Sequence, residues 1–185
     1  MKSKKKLILP AILIVIAAIL LLFPKVGQFL RDQFSMTATV EKLDKEVVLE
    51  DNEMDIALKG INTADINLKD LKGKTIFLNF WGTWCKPCRE EWPSIQKLYD
   101  QQNGKVSFAL IAMQDKEEAV KKFVEENNYT APVYIAQSPM DAKLLPKVFP
   151  TTYIIASNSQ IVKKEESTLD WNSAEIHNFL NTITK

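Results

Sequence analysis

The chain has 185 residues, 46% apolar and 25% charged, which fits one ordinary globular domain plus a small addition and excludes wholesale disorder. Its formal net charge of +1 hides an asymmetry: residues 1–31 carry six basic and no acidic side chains, which leaves 18 basic against 23 acidic residues beyond them, a balance of −5. A mildly acidic domain has no electrostatic footprint for nucleic acid, and that partner class drops out.

Leu7 to Phe23 is an unbroken apolar run of 17 residues. As a helix it is ~25 Å long, at the short end of what spans a hydrocarbon core of ~30 Å. Pro10 falls in the first helical turn, where its missing N–H costs little. Lys4, Lys5 and Lys6 precede the run and hold that end in the cytoplasm, which sends the rest of the chain across. A cleaved signal peptide is the rival; it needs small residues at a cleavage site, and PKVGQFLRD follows instead. The expected organisation is an anchor over residues 1–24, a linker over 25–39 and a domain over 40–185. Either reading puts the domain outside the cytoplasm.

Alternation then predicts short strands over Val40–Leu49 and Met54–Leu58, another at Ile66–Leu68, and a helical turn in Asn67–Lys74 ending at Gly73. Thr75–Phe80 (TIFLNF) is nearly all apolar, the mark of a central buried strand. Apolar spacing at Trp92, Ile95 and Leu98–Tyr99 predicts a helix over Pro87–Gln102. Val106–Met113 reads as a second buried strand, Lys116–Asn127 as an amphipathic helix and Pro132–Ala136 as a shorter strand. Asp141–Lys147 reads as a helical turn. Thr151–Ala156 and Ile161–Glu165 face each other across residues 157–160 as a hairpin, and Ser173–Thr184 closes the chain as a helix. The order β-α-β-α-β then β-β-α implies parallel pairing with crossovers and an antiparallel hairpin at the edge. The expected class is α/β: a central mixed sheet with helices on both faces, an N-terminal β extension and one transmembrane helix.

The only two cysteines, Cys85 and Cys88, stand directly after a predicted buried strand and at the start of a predicted helix. A helix start offers unpaired N–H groups and the positive end of the macrodipole, and both favour the thiolate, which is the nucleophile. Lys86 and Arg89 add positive charge, and Pro87 suits the first turn because its φ is already set. The alternatives are weaker. An inert disulfide closing so short a loop gains little chain entropy. Zinc needs about four ligands, and His177 is the only other soft candidate. Covalent haem attachment requires a histidine where Arg89 stands. Thiol redox chemistry therefore leads, with no cofactor and no metal required.

The stretch Phe77–Pro93 (FLNFWGTWCKPCREEWP) resembles the thioredoxin superfamily, and most of all its membrane-anchored TlpA/ResA/DsbE-type branch. Trp81-Gly82-Thr83-Trp84-Cys85 matches that family's W-x-x-W-C approach, and Phe149-Pro150-Thr151-Thr152-Tyr153 falls where the family carries a cis-proline. Leu68–Lys74 also looks like that branch, and the resemblance covers roughly Met54 to Ile183. It implies a thioredoxin-like fold in which Cys85, the exposed cysteine, attacks a substrate disulfide and buried Cys88 resolves the mixed disulfide. Pro150 would be cis and face the pair. The Phe149 backbone would pair with an extended substrate segment, with Trp84, Lys86 and Pro87 beside it. Glu91 matches a glutamate tied in that branch to proton handling; its other reading is an exposed first-turn carboxylate, and only one of Glu90 and Glu91 can face inward. Classical thioredoxins carry a buried aspartate where this chain has Asn79, so Cys88 must pass its proton to Glu91, water or another route. Trp81 reads as packing, Trp92 and Trp171 as core or half-buried, and His177 as solvated.

The resemblance implies a protein-disulfide reductase of a bacterial cytoplasmic membrane, single-pass, with its domain on the extracytoplasmic or periplasmic side. Its substrates would be protein disulfides, as in cytochrome c biogenesis, and its electrons would come from a membrane-embedded donor. A dithiol oxidase, a redox-responsive binding module and an inert tethered module are the rivals. A peroxidase would need a further peroxide-binding motif that the sequence lacks.

Overall fold

The structure is a computed structural model and describes residues 47–184. The anchor expected over residues 1–24, the linker over 25–39 and most of the strand expected from Val40 lie outside the described residues. Among the described residues no helix is long and apolar enough to cross a membrane.

Three short strands come first: β1 (Val47–Val48), β2 (Ala57–Gly60) and β3 (Ile66–Asn67). A 3-10 turn, Leu68–Leu71, follows. Asn67 caps it: its Oδ1 accepts from Lys69 N at 3.1 Å while its own N–H donates to Asp70 at 2.9 Å, a reciprocal pair that satisfies two end donors. β4 (Thr75–Trp81) is buried at all seven positions, as a nearly continuous apolar run demands of a strand covered on both faces. Then come α1 (Lys86–Gln102), β5 (Val106–Ala112), α2 (Glu117–Glu126) and β6 (Val133–Ala136). The chain closes with β7 (Thr151–Ile155), β8 (Gln160–Glu165) and α3 (Ala174–Ile183), the last capped by Ser173.

The strands form one eight-stranded mixed sheet in the order β1-β8-β7-β4-β5-β6-β2-β3. β4, β5 and β6 are parallel neighbours, and α1 and α2 make the crossovers that parallel pairing requires. β7 returns antiparallel on the other side of β4, with Phe77 opposite Ile154 and Asn79 opposite Thr152. The expected hairpin is present, but it is not the sheet's edge. β1 adds one further strand beyond β8, and β2 with β3 extends the sheet beyond β6. β2 begins three residues later than the strand expected at Met54. Met54 and Ile56 are instead fully buried ahead of it.

The two faces of the sheet are covered differently. Phe77, Trp81, Phe108, Leu110 and Ile154 meet buried residues of all three α-helices, including Trp92, Ile95, Val120 and Leu180. On the other face Ile76, Leu78, Phe80, Ile111 and Tyr153 meet Leu49, Met54, Ile56, Leu68 and Leu144, which lie on the 3-10 turn and on turns and loops between strands. Among the described residues the α-helices lie on the first face, and the helix expected on the second is only the 3-10 turn Leu68–Leu71. The segment read as a helical turn at Asp141–Lys147 makes a single turn in which Leu144 and Leu145 N–H groups donate to Asp141 O. That segment plugs the face with Leu144 rather than laying an apolar stripe along it.

Candidate active site

β4 ends at Trp81, and the chain then turns over residues 82–85 into α1. Three bonds pin this turn to the end of β5. Met113 N donates to Trp81 O at 2.8 Å, Trp84 Nε1 donates to Met113 O at 3.1 Å, and Thr83 N donates to Asp115 Oδ2 at 2.6 Å. Gly82 lets the Trp84 indole lie close over the backbone, since a Cβ there would stand 2.5 Å from Trp84 Nε1. Trp84 remains 51% exposed and meets Phe149 edge-on, ring centroids 5.3 Å apart.

Cys85 is the N-cap of α1 and is joined to Cys88 by a disulfide, with Cα atoms 5.3 Å apart. Its sulfur also lies 3.3 Å from the Cys88 N–H, one of the donors that a helix start leaves without an intrahelical acceptor. No acidic residue sits in the first turn to offset the positive helix end. Lys86 is exposed and forms an ion pair with Glu90 at 3.6 Å, and Pro87 and Arg89 are exposed beside it. The expected exposure of Cys85 is corrected: it is 4% exposed against 0% for Cys88. The bond to fully buried Cys88 holds its sulfur against the helix end. What little surface the oxidised pair presents belongs to Cys85.

The Phe149–Pro150 peptide bond is cis, the geometry the resemblance implies. Pro150 leads directly into β7, and Thr151 Oγ1 donates back to Val148 O at 2.8 Å. Val148 is exposed and Phe149 half-buried.

Behind the pair, the choice between Glu90 and Glu91 is decided by the helix face. Glu90 is exposed, while Glu91 is 2% exposed and points toward the sheet. Asn79 Nδ2 donates to Glu91 Oε1 at 3.0 Å and to Thr152 Oγ1 at 2.8 Å. Trp171 Nε1 donates to Glu91 Oε2 at 3.0 Å. Burial pushes the Glu91 carboxyl up to about 7, against the opposing pull of the Trp171 and Asn79 N–H groups and the Leu169 backbone, with Glu165 adding to the rise. A carboxyl titrating there can take up or release a proton near neutral pH.

Trp171 and Thr152 are site neighbours that sequence reasoning did not assign. Trp171 is 80 residues from its partner, and nothing in its local pattern marks an indole aimed at a carboxylate. His177, expected in solvent, is half-buried: its ring nitrogens lie 3.0 Å from Gln102 Nε2 and 3.0 Å from Asn172 Oδ1. Among the described residues no group of three or more His, Cys, Asp or Glu side chains could hold a metal ion.

The AhpC/TSA family model matches residues 49–164. Thioredoxin-like protein YneN of Bacillus subtilis is 34% identical over 116 residues, covering 60% of this chain and 68% of that protein. The thiol-disulfide oxidoreductase ResA of the same organism is 32% identical over 143 residues, covering 75% and 78%. Among solved structures, StoA from Bacillus subtilis superposes with a TM-score of 0.54 at 24% identity, over 68% of this chain and 94% of that one, a likeness of fold. Its Cys85–Cys88 disulfide lies at the start of α1, and the chain belongs to the AhpC/TSA family, as a thiol–disulfide oxidoreductase of its thioredoxin-like branch.

Proposed function

We propose that this oxidoreductase reduces protein disulfides outside the cytoplasm, tethered by an anchor over residues 1–24 and a linker over 25–39 to a domain over 40–185. The observation that carries the reading is the Cys85–Cys88 pair at the N-terminus of a helix that directly follows a central strand. In the reduced enzyme the Cys85 thiolate attacks one sulfur of a substrate disulfide, and the other sulfur leaves as a thiolate. Cys88 passes its proton to Glu91, one helical turn on, and attacks Cys85 Sγ. The second substrate sulfur leaves. The substrate gains two electrons, and the pair returns to the disulfide. Phe149 backbone, Trp84, Lys86 and Pro87 hold the substrate segment beside Pro150.

The extracytoplasmic placement is supported by the Leu7–Phe23 run and the lysines ahead of it. The reducing direction is supported by the likeness of Phe77–Pro93 to the membrane-anchored thioredoxin-like branch and by the Lys86–Pro87 dipeptide, which resembles reductases. That likeness also suggests apocytochrome c as a substrate and a membrane-embedded thiol donor as the source of electrons.

A Cys88→Ala chain is expected to accumulate a mixed disulfide through Cys85, visible as a covalent adduct on non-reducing gels and absent when Cys85 is also replaced by Ser. Reduction of a protein disulfide that survives the double Cys85→Ser/Cys88→Ser replacement would remove the reading. A reduction potential in the range of strong oxidants would reverse its direction, since ~30 mV corresponds to ~1.4 kcal/mol for a two-electron couple.

A further inference from the structure

The Glu91 carboxylate sits among donors that come from two distant parts of the chain. Asn79 reaches Oε1 from β4, and Trp171 reaches Oε2 from the segment between β8 and α3. Indole N–H can only donate, so this contact favours the charged carboxylate, the stronger acceptor, over the neutral acid. The segment that carries Trp171 is itself fastened to α1. Ser94, three residues beyond Glu91, donates to Glu91 O at 2.7 Å and accepts from Trp171 N at 3.1 Å. The indole is wedged edge-on against Phe77, ring centroids 4.9 Å apart, and the residue is fully buried. Backbone, ring and N–H are thus each held separately, and together they aim one hydrogen bond.

We propose that Trp171 is a positioning residue of this site: by donating its indole N–H to Glu91 Oε2 it fixes the carboxylate that serves Cys88 and decides the protonation state in which Glu91 meets it. The proposal rests on the reading of Glu91 as the group that takes the Cys88 proton. The other polar and charged groups that face or influence Glu91 are accounted for. They are Cys88 on its own helix, Asn79 on β4, Thr152 on β7, the Leu169 backbone, and Glu165 on β8, which is paired at 3.4 Å with buried Lys163. Glu165 opposes ionisation of Glu91, while the Trp171 and Asn79 N–H groups favour it.

Trp171→Phe keeps a ring against Phe77 and removes the N–H. The Glu91 titration, followed by carbon-13 carboxyl resonance, is expected to move upward by about one to two pH units, the effect of one lost hydrogen bond to a charged group. The pH profile of disulfide reduction is expected to move with it. An unmoved Glu91 titration overturns the proposal and leaves the role of Glu91 standing. That role has its own test: a Glu91→Gln enzyme with the wild-type pH profile removes the reading beneath the proposal. A moved titration with an unmoved rate profile also overturns it. Where the variant folds poorly, the wild-type protein answers. The Trp171 indole N–H resonance, one of four in the chain, is expected to titrate with the midpoint of Glu91, and a resonance fixed through that range overturns the proposal.

Discussion

Glu91 makes the stability of the oxidised protein depend on pH. Its carboxyl rises from 4.5 to about 7 on folding, chiefly through burial. The folded chain therefore keeps a proton that the unfolded chain has lost, and stability falls as pH rises through that window, by ~3 kcal/mol in all. Glu91→Gln cannot titrate there and is expected to flatten this slope. Guanidinium midpoints of the oxidised protein from pH 4.5 to pH 7.5 measure it. Residues of the cysteine motif were open to sequence reading because their spacing is local: strand, turn, Cys85, Pro87 and Cys88 follow one another directly. Glu91 was readable only as half of a choice with Glu90, because a helical register is uncertain by a residue until its buried face is known. Trp171 was not readable at all. Its contact with Glu91 depends on how the segment after β8 folds back onto α1, and Ser94, whose own sequence signal is nil, fastens that fold.

Among the elements, β2 and β3 have the task of covering the β6 edge, and their connection depends on Gly60. A Cβ at Gly60 would stand 2.1 Å from Thr63 O, a backbone atom that cannot swing aside. Its N–H donates to Asp65 Oδ1 at 2.9 Å across the same loop. Gly60→Ala is expected to cost ~1–3 kcal/mol, the range for forced repacking. Hydrogen exchange locates the damage: the amides of Leu58 and Lys59 lose protection while Leu78 in β4 keeps its own. The sequence marks the central strands well, since TIFLNF and VSFALIA are apolar at nearly every position. The terminal strands β1 and β3, two residues each, fall inside the segments that alternation marks, Val40–Leu49 and Ile66–Leu68, but strands so short do not declare their own bounds. The interior place of β7 was hidden because two of its five buried residues are threonines, so TTYII does not read as the continuous apolar run of a strand covered on both faces. Coverage of the second face by loops left no periodic mark, because Met54, Ile56, Leu68 and Leu144 come from separate short segments.

For the molecule as a whole, redox state and stability are linked. The proposed reducing direction requires that the folded chain favour the disulfide over the dithiol, and hence that oxidation stabilise the fold relative to the reduced form. The oxidised protein is accordingly expected to unfold at a higher guanidinium concentration than the reduced one. The opposite order would mark an oxidant. Both cysteines of the chain are in the one bond beside α1. A polypeptide with a single possible internal linkage has no scrambled isomers to sort through and needs no proofreading of its own crosslinks. Every covalent species heavier than one chain that survives without reductant must then contain a second molecule, which makes the mass of such an adduct a direct readout of whom this protein has met.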